Sequence, residues 1–262
     1  MAVFTHGFTG DTRWMIQGLA QFLRREVLPY YHLLTWDYES FGTSIHEIGA
    51  QFALALQQQC GFGLDDGITV HVYAHSMGCL VSRYMIELAK GYQFVDRLVM
   101  AGPPNKGTTL ATLSRSFVYM TNSLINHCSS FPPLKAVSWP TKDLYEQGTG
   151  WADLAVNSQV VQQLNALEEP SNIPYLILAG ENVQDEQERN RINRLAQKVL
   201  HETLDMIFGE ENDQVVGLSS MEGVRGGAYP ALTLNILSCD HYHYYDIPQG
   251  LAAIKQWMTS QS

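Results

Sequence analysis

The chain has 262 residues, ample for a large core, and with 45% hydrophobic and 16% charged residues it lies far from the composition of a disordered polypeptide. Its 16 Lys and Arg stand against 26 Asp and Glu, a formal charge of −10 that repels nucleic acid and anionic membrane surfaces, and no local basic patch offsets it. Cys60, Cys79, Cys128 and Cys239 lack the paired spacings of a zinc or redox motif, no apolar run reaches the roughly 18 residues of a membrane span, and Met1 to His6 does not read as an export leader. The expectation is a cytoplasmic protein with reduced thiols.

In chain order, Ala2 to Thr5 reads as a strand that breaks at His6-Gly7-Phe8-Thr9-Gly10. Asp11-Thr12 then offers an N-cap to a helix carrying Trp14, Met15, Leu19, Phe22 and Leu23. A second strand, Tyr31 to Trp36, precedes a helix with Ile45, Ile48, Phe52, Ala55 and Leu56 that ends before Gly61. Ile68 to Tyr73 is a third strand, and Leu80, Val81, Tyr84, Met85 and Leu88 trace one face of the helix after it, closed by Gly91. Val95 to Met100 is the fourth. Such alternation predicts an α/β fold with a parallel sheet covered on both faces. It stops between Gly102 and about Pro170, where helical patterns without a convincing strand mark an insertion. Order resumes with a strand at Tyr175 to Ala179, a helix with Ile192, Leu195, Val199 and Leu200, a strand at Leu232 to Leu237 and a helix from about Pro248 to Met258.

The most specific signal is Val72-Tyr73-Ala74-His75-Ser76-Met77-Gly78. A serine at a sharp strand-to-helix turn, with Ala74 and Gly78 two residues to either side, has the form of a nucleophile elbow in which alanine replaces the usual first glycine. Small residues are needed because strand and helix nearly touch there. The turn should hold Ser76 in a strained conformation costing on the order of 1–3 kcal/mol and project its hydroxyl at a helix N-terminus.

Together, this elbow and the earlier His6-Gly7-Phe8-Thr9-Gly10 loop resemble the α/β-hydrolases, and among them bacterial lipases whose first central strand runs into a His-Gly-Phe-Thr-Gly loop. The resemblance implies that the backbone N–H groups of Phe8 and Met77 form an oxyanion hole, while His6 braces the loop. A serine nucleophile needs a histidine to take its proton and an acid to orient that histidine, and in this fold the chain order is serine, acid, histidine. Candidates for the acid are Glu181, Asp185, Asp205 and Asp213; Asp213, in Glu210-Glu211-Asn212-Asp213-Gln214-Val215-Val216, is similar to the Asn-Asp-Gly-Val-Val segment of these lipases, with Gln214 where the family has glycine. His241 and His243 both follow the last strand, and His241, directly after Asp240, is the choice that the family's Asp-His segment favours.

The segment Ala101 to Thr108 and the run from Asp153 to Ser158, continuing through Val161, Leu164 and Asn165, look like the two ends of the family's lid region. A single domain over 1–262 with a lid-like insertion at about 105–170 is therefore expected. Its apolar Phe117, Val118, Tyr119, Met120, Leu124, Ile125, Phe131, Leu134, Trp139 and Trp151 would partly line a groove over Ser76. The chain begins almost on the His-Gly strand, so the antiparallel edge strands that precede it in relatives are not expected. No zinc-binding set of the kind carried by thermophilic lipases is assembled, so no metal and no cofactor are predicted. The implied activity is hydrolysis of a carboxylic ester, with a small-molecule acyl ester or lipid as substrate and transient contact at a lipid surface compatible with it. A thioesterase or acyltransferase would use the same residues, and a non-catalytic binding module on this scaffold would normally have lost one of them.

Overall fold

The structure, a computed structural model, describes residues 1–8, 10–27, 30–59, 67–112, 148–168, 171–181 and 202–260. A sheet of six strands forms its centre: β1 (Ala2–Thr5), β2 (Leu33–Trp36), β3 (His71–His75), β4 (Arg97–Ala101), β5 (Tyr175–Gly180) and β6 (Leu232–Leu237). Their order is β2-β1-β3-β4-β5-β6, and every neighbouring pair is parallel. The main helices are α1 (Arg13–Phe22), continued by a π-helical turn at Leu23–Val27, α2 (Ile45–Gln59) and α3 (Met77–Glu87). Shorter ones follow at α4 (Thr109–Thr112), α5 (Thr149–Asp153), α6 (Gln159–Asn165) and α7 (Leu218–Met221), with a helical stretch at 202–208, before α8 (Pro248–Ser260) closes the fold.

Strand alternation builds two cores. Val3, Val72, Ala74, Leu98, Met100, Tyr175 and Ile177 pack with Ile45, Ile48 and Phe52 of α2 and with Leu80, Val81 and Met85 of α3. Phe4, Tyr73, Val99, Leu176 and Leu178 point the other way, onto Met15 and Leu19 of α1 and Ile254, Trp257 and Met258 of α8. The central strands β1, β3, β4 and β5 are buried along almost their whole length because both faces are covered, as a parallel sheet requires.

Pairing moves several strand boundaries away from their expected places. Tyr31 is 89% exposed and Ile68 45%, and the paired segments begin later, at Leu33 and His71. β3 runs on to His75 and β4 to Ala101 because these two residues lie opposite each other in the ladder. Thr12 occupies the N-cap position of α1 without capping it; its N–H and hydroxyl instead donate to Asp37, at 2.7 and 2.9 Å. The helix expected around Ile192 to Leu200 lies outside the described residues, as do the insertion's aromatic and apolar residues from Phe117 to Trp139.

The strand order reverses direction at β1: the chain goes outward to β2, then returns to β3 on the other side. The switch point of the strand order thus falls between β1 and β3, and its carboxyl-end side is where open α/β sheets place their ligands.

Candidate active site

Ser76 stands directly after β3 with φ 52° and ψ −123°, the strain expected of the turn. Its N–H donates to Ala101 O at 2.9 Å and its carbonyl accepts from Cys79 N at 2.9 Å, tying the turn to β4 and to the first turn of α3. Close approach explains the small neighbours. A Cβ on Gly78 would come within 2.4 Å of His6 O, and one on Gly7 within 2.8 Å of Ser76 Cβ, so the His-Gly loop presses against the serine turn. Met77 opens α3, at a position where backbone N–H groups have no partner within the helix.

His6 is a brace. Its Nδ1–H donates to Gly7 O at 2.7 Å, its Nε2 accepts from Tyr38 N at 3.1 Å, and its ring stacks on Tyr38 with centroids 4.2 Å apart. Burial holds its pKa below the usual histidine value, so it stays neutral and keeps this tautomer. Phe8 follows, tilted against Phe41 at 5.0 Å and Trp151 at 5.2 Å. Trp151 belongs to α5, which docks beside Phe41 through Gly150 N–H to Phe41 O at 3.1 Å and Thr149 Oγ1 to Gly42 O at 2.6 Å.

Asp213 and His241 come together from separate loops. The His241 Nδ1–H donates to Asp213 Oδ2 at 2.6 Å and the His241 backbone N–H to Asp213 O at 2.9 Å. Asp213 is fully buried and His241 is 2% exposed. Asp213 Oδ1 accepts from the N–H groups of Val215 and Val216 at 3.0 and 2.7 Å, and Oδ2 accepts a further bond from the Tyr244 hydroxyl at 2.6 Å. Such a carboxylate is fully engaged, and it fixes Nδ1 of the imidazole as the protonated nitrogen, leaving Nε2 to take a proton.

This pair borders the serine turn. His75 lies 4.8 Å from the His241 ring, centroid to centroid, and its Nε2–H donates to His241 O at 2.7 Å. Burial first, and the neighbouring His241 second, hold the pKa of His75 well below the usual value, so it serves as a neutral tether. Gly102, φ 57°, directly follows β4 and packs against the pair: a Cβ there would come within 3.0 Å of Asp213 Oδ2 and of His241 Cε1.

The rival candidates sit elsewhere. His243 pairs with Asp240, Nδ1 to Oδ1 at 2.6 Å, with its side chain 32% exposed, and that hydrogen bond raises its pKa. Glu181 shares a hydrogen bond with Glu211, which raises its pKa. Asp205 accepts from Asn212 Nδ2 at 3.1 Å and so supports the Asp213 loop, and Asp185 lies outside the described residues. Sequence reasoning missed Tyr244, whose only signal was a position three residues beyond His241 in an aromatic run. It also missed the clasp at the insertion's base. There Asn165 Nδ2 donates to Asn105 O at 2.7 Å, Thr108 N to Leu154 O at 2.8 Å, and the Thr108 hydroxyl to Val215 O on the Asp213 loop. The two ends of the insertion thus meet each other, and one of them touches the loop that carries Asp213.

Among the described residues no cluster of His, Cys, Asp and Glu could hold a metal ion, and no helix is long and apolar enough to cross a membrane.

A parallel sheet of this order, with a strained serine turn after β3 and a histidine after the last strand, is the α/β-hydrolase fold, and solved structures agree. The mature lipase BlEst2 of Bacillus licheniformis superposes with a TM-score of 0.64 at 18% identity, covering 100% of this chain and 91% of its own. Lipase 1 of Pelosinus fermentans matches with a TM-score of 0.59 at 14% identity, over 100% and 98%. The phospholipase PlaB of Legionella pneumophila gives 0.59 at 19% identity, over 84% of this chain and 45% of that one. The chain belongs to the family described as Domain of unknown function (DUF7379), whose model matches residues 1–259. No curated protein matches the sequence significantly.

Proposed function

We propose that this protein is a serine hydrolase of carboxylic esters, with Ser76 as nucleophile, His241 as general base and then general acid, and Asp213 as the orienting carboxylate. The observation that carries this reading is the buried His241–Asp213 pair, hydrogen bonded at 2.6 Å and tethered through His75 to the turn that strains Ser76. In the first half-reaction Ser76 Oγ attacks the ester carbonyl while its proton passes to His241 Nε2, and Asp213 stabilises the imidazolium that results. The N–H groups of Phe8 and Met77 receive the oxyanion; each such donor is worth about 2.7–4 kcal/mol at the transition state. His241 then protonates the leaving alcohol. Water attacks the acyl-serine, giving its proton to His241, and the carboxylic acid leaves as Ser76 regains its hydrogen.

Lipases and a phospholipase among the structural neighbours support ester substrates with apolar acyl groups, as does the aromatic cluster of Phe8, Phe41 and Trp151 at the loop after β1. We assign the segment 105–170 as a lid-like insertion in a single hydrolase domain, its ends clasped at Asn105 and Asn165. A cytoplasmic setting fits Cys79 and Cys239, which are buried free thiols.

A fluorophosphonate probe followed by peptide mapping tests the proposal: the label should fall on Ser76. Ser76→Ala should lose p-nitrophenyl ester hydrolysis by about 1,000-fold or more with an unchanged circular dichroism spectrum. Label on another residue, or turnover near wild type, would overturn it. Acyl release accelerated by an added alcohol or thiol acceptor would point to the acyltransferase instead.

A further inference from the structure

Asp213 Oδ2 serves two donors at once, His241 Nδ1–H and the Tyr244 hydroxyl, each at 2.6 Å. The fold makes room for this. A Cβ on Gly180, at the end of β5, would come within 2.5 Å of the Tyr244 oxygen and 2.9 Å of Asp213 Cβ, and one on Gly102 within 2.9 Å of Tyr244 Cε2. Glycine therefore stands at the end of β5 and directly after β4, where the phenol and the carboxylate pass. Tyr244 is fully buried, and besides the carboxylate its hydroxyl meets Met221 Sδ at 3.5 Å. A hydroxyl has one proton to give, and a thioether is a weak acceptor, so the proton goes to Asp213.

We infer that Tyr244 is a positioning residue that acts through Asp213: it occupies one lone pair of Oδ2, so that the carboxylate presents the other to His241 in one orientation and with part of its charge already drawn off. The inference rests on the reading of His241 and Asp213 given above. With Val215 and Val216 holding Oδ1, a donor on Oδ2 leaves the carboxylate no freedom to rotate away from the imidazole. Hydrogen bonds to one acceptor also compete: each draws electron density that the other then lacks, so the phenol tempers the His241–Asp213 bond. Burial and the Asp213 charge hold the phenol pKa well above its usual value, so Tyr244 remains a donor at every working pH. Packing alone would call for the ring but not for the hydroxyl.

Proton NMR of the hydrogen-bonded Nδ1 proton of His241 reads that bond directly and needs no turnover. Tyr244→Phe keeps the ring and removes the donor, and should move this resonance downfield as the remaining bond strengthens. Site-specific 3-fluorotyrosine at position 244, a stronger donor of the same shape, should move it upfield. In ester hydrolysis Tyr244→Phe should lower kcat by about 3- to 10-fold at unchanged KM, the loss expected when one positioning hydrogen bond goes. A downfield shift in Tyr244→Phe together with an upfield shift in the fluorotyrosine protein supports the inference, and the reverse pair of shifts overturns it. A resonance that stays in place in both, or moves the same way in both, overturns it. If Tyr244→Phe does not fold, the fluorotyrosine protein decides, with an upfield shift in favour and none against. Should the wild type show no Ser76-dependent hydrolysis, the hydrolase reading falls while the resonance still decides whether Tyr244 tunes the pair.

Discussion

His241 and His243 stand two positions apart after the same strand, but their partners separate them. His241 is buried against Asp213 and tied to His75, whereas His243 reaches Asp240 in a half-exposed pair where solvent screens much of the interaction. His241→Ala should therefore reduce kcat about as severely as Ser76→Ala, because residues that act as one unit fail together, and His243→Ala should stay within about threefold of wild type. Steady-state kinetics with p-nitrophenyl esters check this, and the reverse order would move the base to His243. Gln214 raises a different matter. It stands where similar lipases carry glycine, and its φ of 82° is the left-handed conformation that glycine adopts without cost. The departure from the family pattern is thus one of residue type, with the glycine-like backbone kept. Gln214→Gly should leave stability unchanged or raise it by up to about 1 kcal/mol, since relief of strain is offset by a more flexible unfolded chain, and Gln214→Val should lower it by more than about 1 kcal/mol. Urea unfolding of the two variants gives the answer; equal stability would mean that the strain is absorbed elsewhere.

At the scale of elements, α3 is held by more than its apolar face. Arg83 and Glu87, fully or almost fully buried, pair at 2.9 Å, and Arg83 also donates to Asn105 Oδ1 and Leu164 O, both at 3.1 Å, while Tyr175 donates to Glu87 at 3.0 Å. One guanidinium thereby joins the helix behind Ser76 to both ends of the insertion and, through Glu87, to β5. A buried pair adds little by comparison with apolar residues of the same shape, but removing Arg83 leaves the buried Glu87 to the Tyr175 hydroxyl and to Arg225 Nε at 3.9 Å. Arg83→Ala should cost about 3 kcal/mol in urea unfolding, since Arg225 stays beside Glu87, and the double change Arg83→Met with Glu87→Met should recover only part of it, because Arg225 then loses the Glu87 carboxylate. A loss below about 1 kcal/mol for the single variant would show that the clasp contributes nothing to stability. Nothing in the periodicity of 77–88 marks these two side chains as buried, because an Arg and a Glu one helical turn apart have the pattern of an exposed ion pair.

For the whole molecule, buried histidines set the response to acid. His71 bonds the Tyr30 hydroxyl at 2.6 Å, and burial, with Arg97 adding to it, lowers its pKa to about 3; His6 and His75 are lowered too. At His71 the unfolded chain binds a proton below about pH 6.5 while the native state stays neutral down to about 3, so its contribution to stability is full above pH 6.5 and is lost as pH falls toward 3; the lowered His6 and His75 act in the same direction. His71 loses about 1.4 kcal/mol per pH unit inside that window. Tm should therefore fall steadily from pH 6.5 to 4, and His71→Gln should make that fall shallower while leaving its course above pH 7 flat. Parallel Tm profiles for wild type and variant would exclude His71 as a contributor.

How much was legible in the sequence follows from which forces act locally. Apolar alternation, glycine breaks and the small residues around Ser76 are dictated by neighbours along the chain, so β1, β6, the helices α2 and α3 and the serine turn could be read with little error, and the likeness to lipases pointed to Asp213 and His241 among several candidates. Strand ends could not, since the ladder partner decides whether Ile68 or His75 is paired. Nor could the partners of long-range side chains. Asp240 and Asp213 are equally plausible neighbours for a histidine in one dimension, and only the packing of the β6 loop against the ends of β4 and β5 sends His241 to one and His243 to the other. By itself the sequence determined the parallel α/β frame and the strained serine. Tertiary structure decided the surroundings of Asp213, because a buried carboxylate takes its donors from whatever the fold brings within 3 Å, here Val215, Val216, His241 and Tyr244.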